Sequence, residues 1–239
     1  MLELKDKLIV ALDVDTLEKA ELIVDKLRGK VKFFKVGSQL FTAYGPKAVE
    51  MVAKKAGQTF LDLKFHDIPN TVYLASKSGT ALSVNCISTG NLCNAPVFMM
   101  TVHIKGGREM LRWAVRGAAE KAKELNVAKP FIVGVTRLTS DQGGEFIEKE
   151  VLAAARIAKD AGLDGVVCSA LEAKKVREEF GKEFIIVTPG IRAKDAPIND
   201  QKRTTTAQEA IEAGANYIVV GRPIIEAKDP LKAVEELIT

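Results

Sequence analysis

The chain has 239 residues, 47% apolar and 28% charged, with 35 basic against 31 acidic side chains and a net charge of +4. That suffices for one large domain with a sizeable core; it argues against a disordered chain, and the near balance of charge argues against a dedicated nucleic-acid binder. Cys86, Cys93 and Cys168 match no zinc spacing, the N-terminus carries no apolar signal core, and no apolar run approaches the roughly 18 residues of a membrane helix, so no membrane partner and a reducing cytoplasm are expected.

Short apolar runs alternate with amphipathic, Ala-rich segments along the whole chain. "KLIVALDV" (7–14) reads as a buried strand, followed by a helix in "DTLEKAELIVDKLRG" with Asp15 or Thr16 as cap and Gly29 as stop. "VKFFKVG" (31–37) is a second strand and "GPKAVEMVAKKAG" (45–57) a second helix, with Pro46 in its first turn. "QTFLDLKF" (58–65) is strand three, with a helix from Thr71 to about Ser83; "VFMMTVHI" (97–104) is strand four, with a long helix over 107–126. "KPFIVGVT" (129–136) and a helix over 148–162, "DGVVCS" (164–169) and a helix over 170–181, and "FIIVTPGI" (184–191) and a helix over 205–215 continue the alternation. "YIVVGRPI" (217–224) and a helix over 229–238 close it.

Eight strand–helix units with continuously apolar strands predict a single α/β domain, a closed (β/α)8 TIM-type barrel of parallel strands over 1–239. A doubly wound open sheet is the alternative, but "ALDVDT" stands after strand one where a dinucleotide-binding glycine fingerprint would be needed.

In such a barrel, chemistry sits at the C-terminal ends of the strands. Asp13 ends strand one, Lys35 strand two, and Asp62 and Lys64 strand three. Side chains alternate faces along a strand, so Asp62 and Lys64 share the face toward the barrel mouth, while Leu61, Leu63 and Phe65 face the helices. Phe33, Lys35 and Gly37 share a face in the same way. One Asp–Lys pair would pass as a structural salt bridge, but four charges from three strands converging on one end point to function, since buried pairs add little net stability. Alternating Lys and Asp keeps the lysines protonated and the aspartates ionised, and such an array can donate a proton from Lys64.

"TPGIR" and "VVGRP" place a glycine and an arginine after strands seven and eight, where many barrels bind phosphate. Gly190 and Gly221 let the backbone come close, and Arg192 and Arg222 supply charge. The expected ligand is therefore a phosphorylated small molecule whose reacting end lies over strands two and three. The polar stretch 192–206 exceeds the usual connection of about 2–6 residues. Read as a lid rather than a plain surface loop, it would exclude water over the phosphate end.

"LDLKFHDIPNT" closely resembles the signature of the orotidine 5'-phosphate decarboxylase family. So do "ALD" at 11–13, "KVG" at 35–37, "VTRLTS" at 135–140, "TPGIR" at 188–192, "NDQKR" at 199–203 and "VVGRPI" at 219–224, in the family's order over nearly the whole chain. The resemblance implies a cofactor-free and metal-free decarboxylase, converting orotidine monophosphate to uridine monophosphate in the last step of de novo pyrimidine nucleotide synthesis. It also implies a homodimer with shared sites. Lys64 would protonate C6 within a network of Lys35, Asp62, Lys64 and Asp67, with Asp67, Ile68 and Thr71 reaching in from the partner. Asp13 and Lys35 would hold ribose hydroxyls, Thr139 would contact the pyrimidine, and Arg192, Gln201, Gly221 and Arg222 would serve the phosphate. The chain departs from the family pattern in a longer stretch near 83–97, a loop insertion expected on the N-terminal face, away from the chemistry.

His66 is expected to make a structural hydrogen bond; His103 ends strand four and could border the site, but the resemblance gives it no chemical step, and both stay outside the catalytic set. The rival enzyme reading is a Mg²⁺-dependent sugar-phosphate decarboxylase or aldolase on the same barrel. Those relatives place a Glu at the end of strand two, where Lys35 stands here and would repel the metal. A catalytically silent phosphate-ligand sensor is the non-enzyme alternative, and the complete Lys/Asp set argues against it.

Overall fold

The computed structural model describes residues 6–55, 57–82, 96–137, 146–192 and 205–238. Eight parallel strands form a closed barrel in sequence order, each hydrogen-bonded to the next and the eighth to the first. They are β1 (Leu8–Ala11), β2 (Phe33–Gly37), β3 (Gln58–Phe65), β4 (Val97–His103), β5 (Phe131–Val135), β6 (Gly165–Val167), β7 (Ile185–Thr188) and β8 (Tyr217–Val220). The described helices are α1 (Leu17–Leu27), α2 (Ser38–Tyr44), α3 (Pro46–Lys54), α4 (Pro69–Ala81), α5 (Gly107–Leu125), α6 (Ile147–Asp160), α7 (Ala170–Phe180), α8 (Ala207–Glu212), α9 (Arg222–Ile225) and α10 (Pro230–Ile238).

The predicted alternation is present, and β3 spans the predicted residues. Two short helices are additions to it. α2 follows β2 directly and has no side-chain cap at Gly37, and α9 occupies the second half of what the sequence reads as strand eight. Arg222 therefore opens a helical turn instead of ending a strand. Strand one is likewise shorter than expected, so Asp13 stands two residues beyond Ala11. The proposed insertion near 83–97, with Cys86 and Cys93, falls almost wholly outside the described residues, as do Thr139 and Gln201.

Helix formation follows local chemistry. Thr16 caps α1, its hydroxyl accepting the Lys19 N–H at 3.2 Å, and Ala20, Ile23, Val24 and Leu27 form the buried stripe. Thr206 and Glu209 form a reciprocal capping box on α8. α5 ends at Asn126, which takes the left-handed conformation suited to a C-terminal cap.

The strands divide the core in two. Outward residues such as Val10, Phe34, Leu61, Met100 and Ile186 join the apolar layer under the helices. Inward residues such as Ile9, Phe33, Phe60, Met99, Val133, Val187 and Val219 fill the barrel. Phe33, Phe98 and Tyr217 pack in tilted and edge-on contacts near the N-terminal end, with ring centroids 4.5 to 5.7 Å apart. The apolar filling gives way to charge one layer higher, where Lys35 pairs in register with Phe60 and Gly37 with Asp62.

Candidate active site

A cavity of about 520 Å³ opens at the C-terminal ends of the strands. Ala11, Phe60, Val135, Val167 and Val219 supply its apolar surface. Asp13, Lys35, Asp62 and Lys64 line one side, and Gly190, Arg192, Gly221 and Arg222 the other. The face alternation read from β3 holds: Asp62 and Lys64 reach the cavity, while Leu63 and Phe65 pack toward the helix layer.

Three strands build the charged side. Lys35 Nζ donates to Asp13 Oδ1 at 2.8 Å and lies 3.5 Å from Asp62 Oδ2. Lys64 Nζ reaches both Asp62 oxygens at 2.9 Å. Asp62 is thus a buried carboxylate held between two lysines. Burial opposes the charge on Lys35, yet Asp62 and Asp13 outweigh it and hold the ammonium above the ordinary lysine value. Burial opposes the Asp62 carboxylate too, and Lys35 with Lys64 outweigh it and hold it below the usual carboxylate range.

At the other side, Arg192 is buried and its backbone N–H donates to Thr205 O at 3.0 Å. Ile191 and Thr205 form an isolated parallel bridge, which ties together the two ends of the long 192–206 segment read as a lid. Residues 193–204 of that segment lie outside the described residues.

Asp67, Ile68 and Thr71 do not join this cavity. All three are exposed around the start of α4, Ile68 to 65%, and the Ile68 N–H donates to Asp67 Oδ1 at 2.6 Å. His66 is exposed and stacks on His103 with centroids 5.3 Å apart, while His103 Nδ1 accepts the Lys105 N–H at 3.3 Å. Neither histidine lines the cavity.

Three residues at or beside the site were missed from sequence. Arg137, within the quoted "VTRLTS", lines the cavity and pairs with Glu150 of α6. Glu226, just after α9, lines it beside Arg222. Thr101 of β4 donates its hydroxyl to Asp62 Oδ1 at 3.0 Å. The signal available for Thr101 was a single hydroxyl on the inward face of an otherwise apolar strand.

A closed parallel barrel with opposed lysines and aspartates at its mouth, faced by two Gly-Arg corners, is the architecture of a (β/α)8 enzyme acting on a small anionic substrate. The family model for "Orotidine 5'-phosphate decarboxylase / HUMPS family" matches residues 6–237, and the chain belongs to that family. It is 44% identical to an orotidine 5'-phosphate decarboxylase of Moorella thermoacetica, over 98% of this chain and 91% of that one. It is 42% identical to that of Trichlorobacter lovleyi, over 99% and 95%. The crystal structure of orotidine 5'-phosphate decarboxylase from Lactobacillus acidophilus superposes with a TM-score of 0.78 at 36% identity, covering 97% of each chain. A Methanocaldococcus jannaschii structure at 22% identity and a TM-score of 0.70 shares the fold.

Proposed function

We infer that the chain decarboxylates orotidine 5'-monophosphate to uridine 5'-monophosphate, the last step of pyrimidine nucleotide synthesis, as a single catalytic domain. The observation that carries the mechanism is the buried Asp62 carboxylate held between Lys35 and Lys64 at the cavity wall. Loss of CO2 breaks the bond at C6 and leaves its electron pair on that carbon. The Lys64 ammonium beside C6 stabilises the developing charge and then delivers its proton there. Asp62, next to the departing carboxylate, raises the energy of the ground state; fixed positive charge at C6 is the larger effect, because ground-state destabilisation is contested as a general mechanism.

Asp13 and Lys35 hold ribose hydroxyls, and Arg192, Gly221 and Arg222 take the phosphate, with Gln201 closing from the 192–206 segment. Thr139 contacts the pyrimidine. Asp67, Ile68 and Thr71 serve the site of a second copy in a homodimer; their exposure and their position outside their own cavity support this reading. A cytoplasmic location belongs to the same reading, since an odd number of cysteines at no zinc spacing suits a reducing compartment.

The Mg²⁺-dependent sugar-phosphate alternative fits the donor set poorly. Lys35 Nζ, 2.8 Å from Asp13 and 3.5 Å from Asp62, occupies the place where a cation bridging those carboxylates would sit. The deciding experiment follows the fall in absorbance of orotidine 5'-monophosphate with and without a chelator. Turnover insensitive to the chelator is expected; turnover that disappears with it would select the alternative.

A further inference from the structure

Thr101 is fully buried in β4 and belongs to no step of the mechanism above. Its hydroxyl oxygen accepts the backbone N–H of Lys64 at 2.8 Å and its proton goes to Asp62 Oδ1 at 3.0 Å. One hydroxyl therefore joins the main chain of one charged residue to the carboxylate of the other.

The strand is irregular at that point. Leu61 pairs with Met100 and Phe65 with Val102, so β3 advances four residues while β4 advances two. The surplus forms a bulge holding Asp62 and Lys64, and bulges beside active sites re-aim side chains. Within it Lys64 has φ +49°, one of two left-handed residues other than glycine among those described. A side chain with a Cβ keeps that conformation only where its surroundings impose it. Asn126, the other, is a helix cap; Lys64 has no such local reason. The contact that holds its N–H is Thr101.

We propose that Thr101 is a positioning residue for the decarboxylation, its hydroxyl locking the left-handed turn at Lys64 and the orientation of Asp62 into one rigid unit. Without that lock the backbone at Lys64 relaxes toward the extended region, and Nζ leaves its place between Asp62 and the cavity. The inference rests on Lys64 as proton donor. It adds a residue whose only route to the reaction runs through two others. A hydroxyl that merely satisfied a buried N–H would affect stability and leave the chemical step alone.

Thr101→Val keeps the side-chain shape and removes both hydrogen bonds, whereas Thr101→Ser keeps them. The expected result is a kcat for Thr101→Val lower by about tenfold to a hundredfold, because small misplacements of reacting groups are costly, with KM within about threefold of the parent. Thr101→Ser should stay within about threefold of the parent in both constants. The acid limb of the kcat–pH profile should move upward in Thr101→Val and stay in place in Thr101→Ser, since Asp62 loses a bond that favours its ionised form. A Thr101→Val enzyme with parental kcat, or a Thr101→Ser enzyme as impaired as the valine variant, would overturn the proposal. Should the valine variant fail to fold, Thr101→Cys replaces it, a thiol of serine's size and weak hydrogen-bonding power. Cysteine well below serine in kcat supports the lock, and equal turnover overturns it. Lys64→Ala, run alongside, separates the two ideas. An active Lys64→Ala enzyme removes the proton-donor reading itself. An inactive one beside a fully active Thr101→Val removes only the lock.

Discussion

Lys64 Nζ lies 2.9 Å from both carboxylate oxygens of Asp62, although only one residue separates the two in β3. Both line the cavity, and the bulge with left-handed Lys64 brings the two groups into double contact. The arrangement keeps the proton-bearing nitrogen next to the carboxylate and still open to the cavity, for the Lys64 side chain retains 38% exposure against 11% for Asp62. Replacing Lys64 by Ala should therefore lower kcat by about a thousandfold or more, the combined scale of general-acid and electrostatic effects, with the circular dichroism spectrum unchanged. Decarboxylation within about tenfold of the parent would remove Lys64 from the proton-donor role.

The second lysine makes a prediction about pH and stability. Asp62 titrates below the ordinary carboxylate value of 3.8 and Lys35 above the ordinary lysine value of 10.5. For Asp62 the folded form holds its proton less tightly, so its contribution is present above pH 3.8 and is lost as the solution becomes more acidic. For Lys35 the folded form holds its proton more tightly, so its contribution is complete below pH 10.5 and is lost above it. Asp62→Asn removes the largest attraction that offsets the burial of Lys35. It should cost about 3 kcal/mol at neutral pH by leaving a buried ammonium short of a partner. Lys35 then keeps Asp13 alone against its burial, so its rise above the ordinary lysine value shrinks, and with it the stability that the variant can lose at alkaline pH. Urea midpoints of parent and variant should converge between neutral and alkaline pH. A gap that stays constant or widens over that range would show that Lys35 does not depend on Asp62.

Most of this site was legible in the sequence because barrel strands obey a two-residue rule. β3 could be bounded at Gln58 and Phe65, and the inward placing of Asp62 and Lys64 followed from the apolar Leu61 and Leu63 on the other face. What escaped was set by tertiary contact. Nothing in "LDLKF" signals a positive φ; lysine carries neither the freedom of glycine nor the local hydrogen bonding of Asn, and the bond holding it comes from Thr101, 37 residues away. Threonine in a strand is ordinary by propensity, so a single inward hydroxyl is a weak signal. α2 and α9 were missed because each begins at a glycine without a capping side chain, the feature by which helix starts are read. Asp13 lines the cavity although its strand ends earlier, and Lys35 Nζ reaches across from β2 to meet it.

Gly37 offers a sharper test of how closely this network is fitted. It faces Asp62 across the strand pair, and a Cβ there would stand 2.8 Å from Lys35 Nζ and 3.0 Å from Asp13 Oδ1. Its backbone, with φ −96° and ψ −176°, suits alanine. The obstacle is therefore the two charged tips, which can yield only by giving up their contact. Gly37→Ala should cost less than about 1 kcal/mol in stability, and lower kcat/KM by about tenfold or more as Lys35 and Asp13 part. Parental kcat/KM would show that the pair has room to shift without consequence.

The exposed start of α4 yields the most direct test of a shared site. Asp67 sits outside its own cavity, its Oδ1 taking the Ile68 N–H, and Ile68 presents an apolar side chain 65% exposed, with Leu74 further along the helix at 51%. An exposed apolar side chain beside an acidic one suits contact with a second copy, and in the proposed homodimer each Asp67 would serve the other barrel. Lys64→Ala and Asp67→Ala should each inactivate both sites of a pure dimer. In a mixed dimer one site receives both altered residues and the other receives neither. Carrying different affinity tags on the two variants and purifying the doubly tagged species isolates that dimer. It should recover roughly half of the parental activity per dimer, because one of its two sites is intact. If the doubly tagged dimer stays inactive, Asp67 acts on its own barrel or not at all. If parental chains carrying the two different tags, folded and active, never form a doubly tagged species, the shared site itself is wrong.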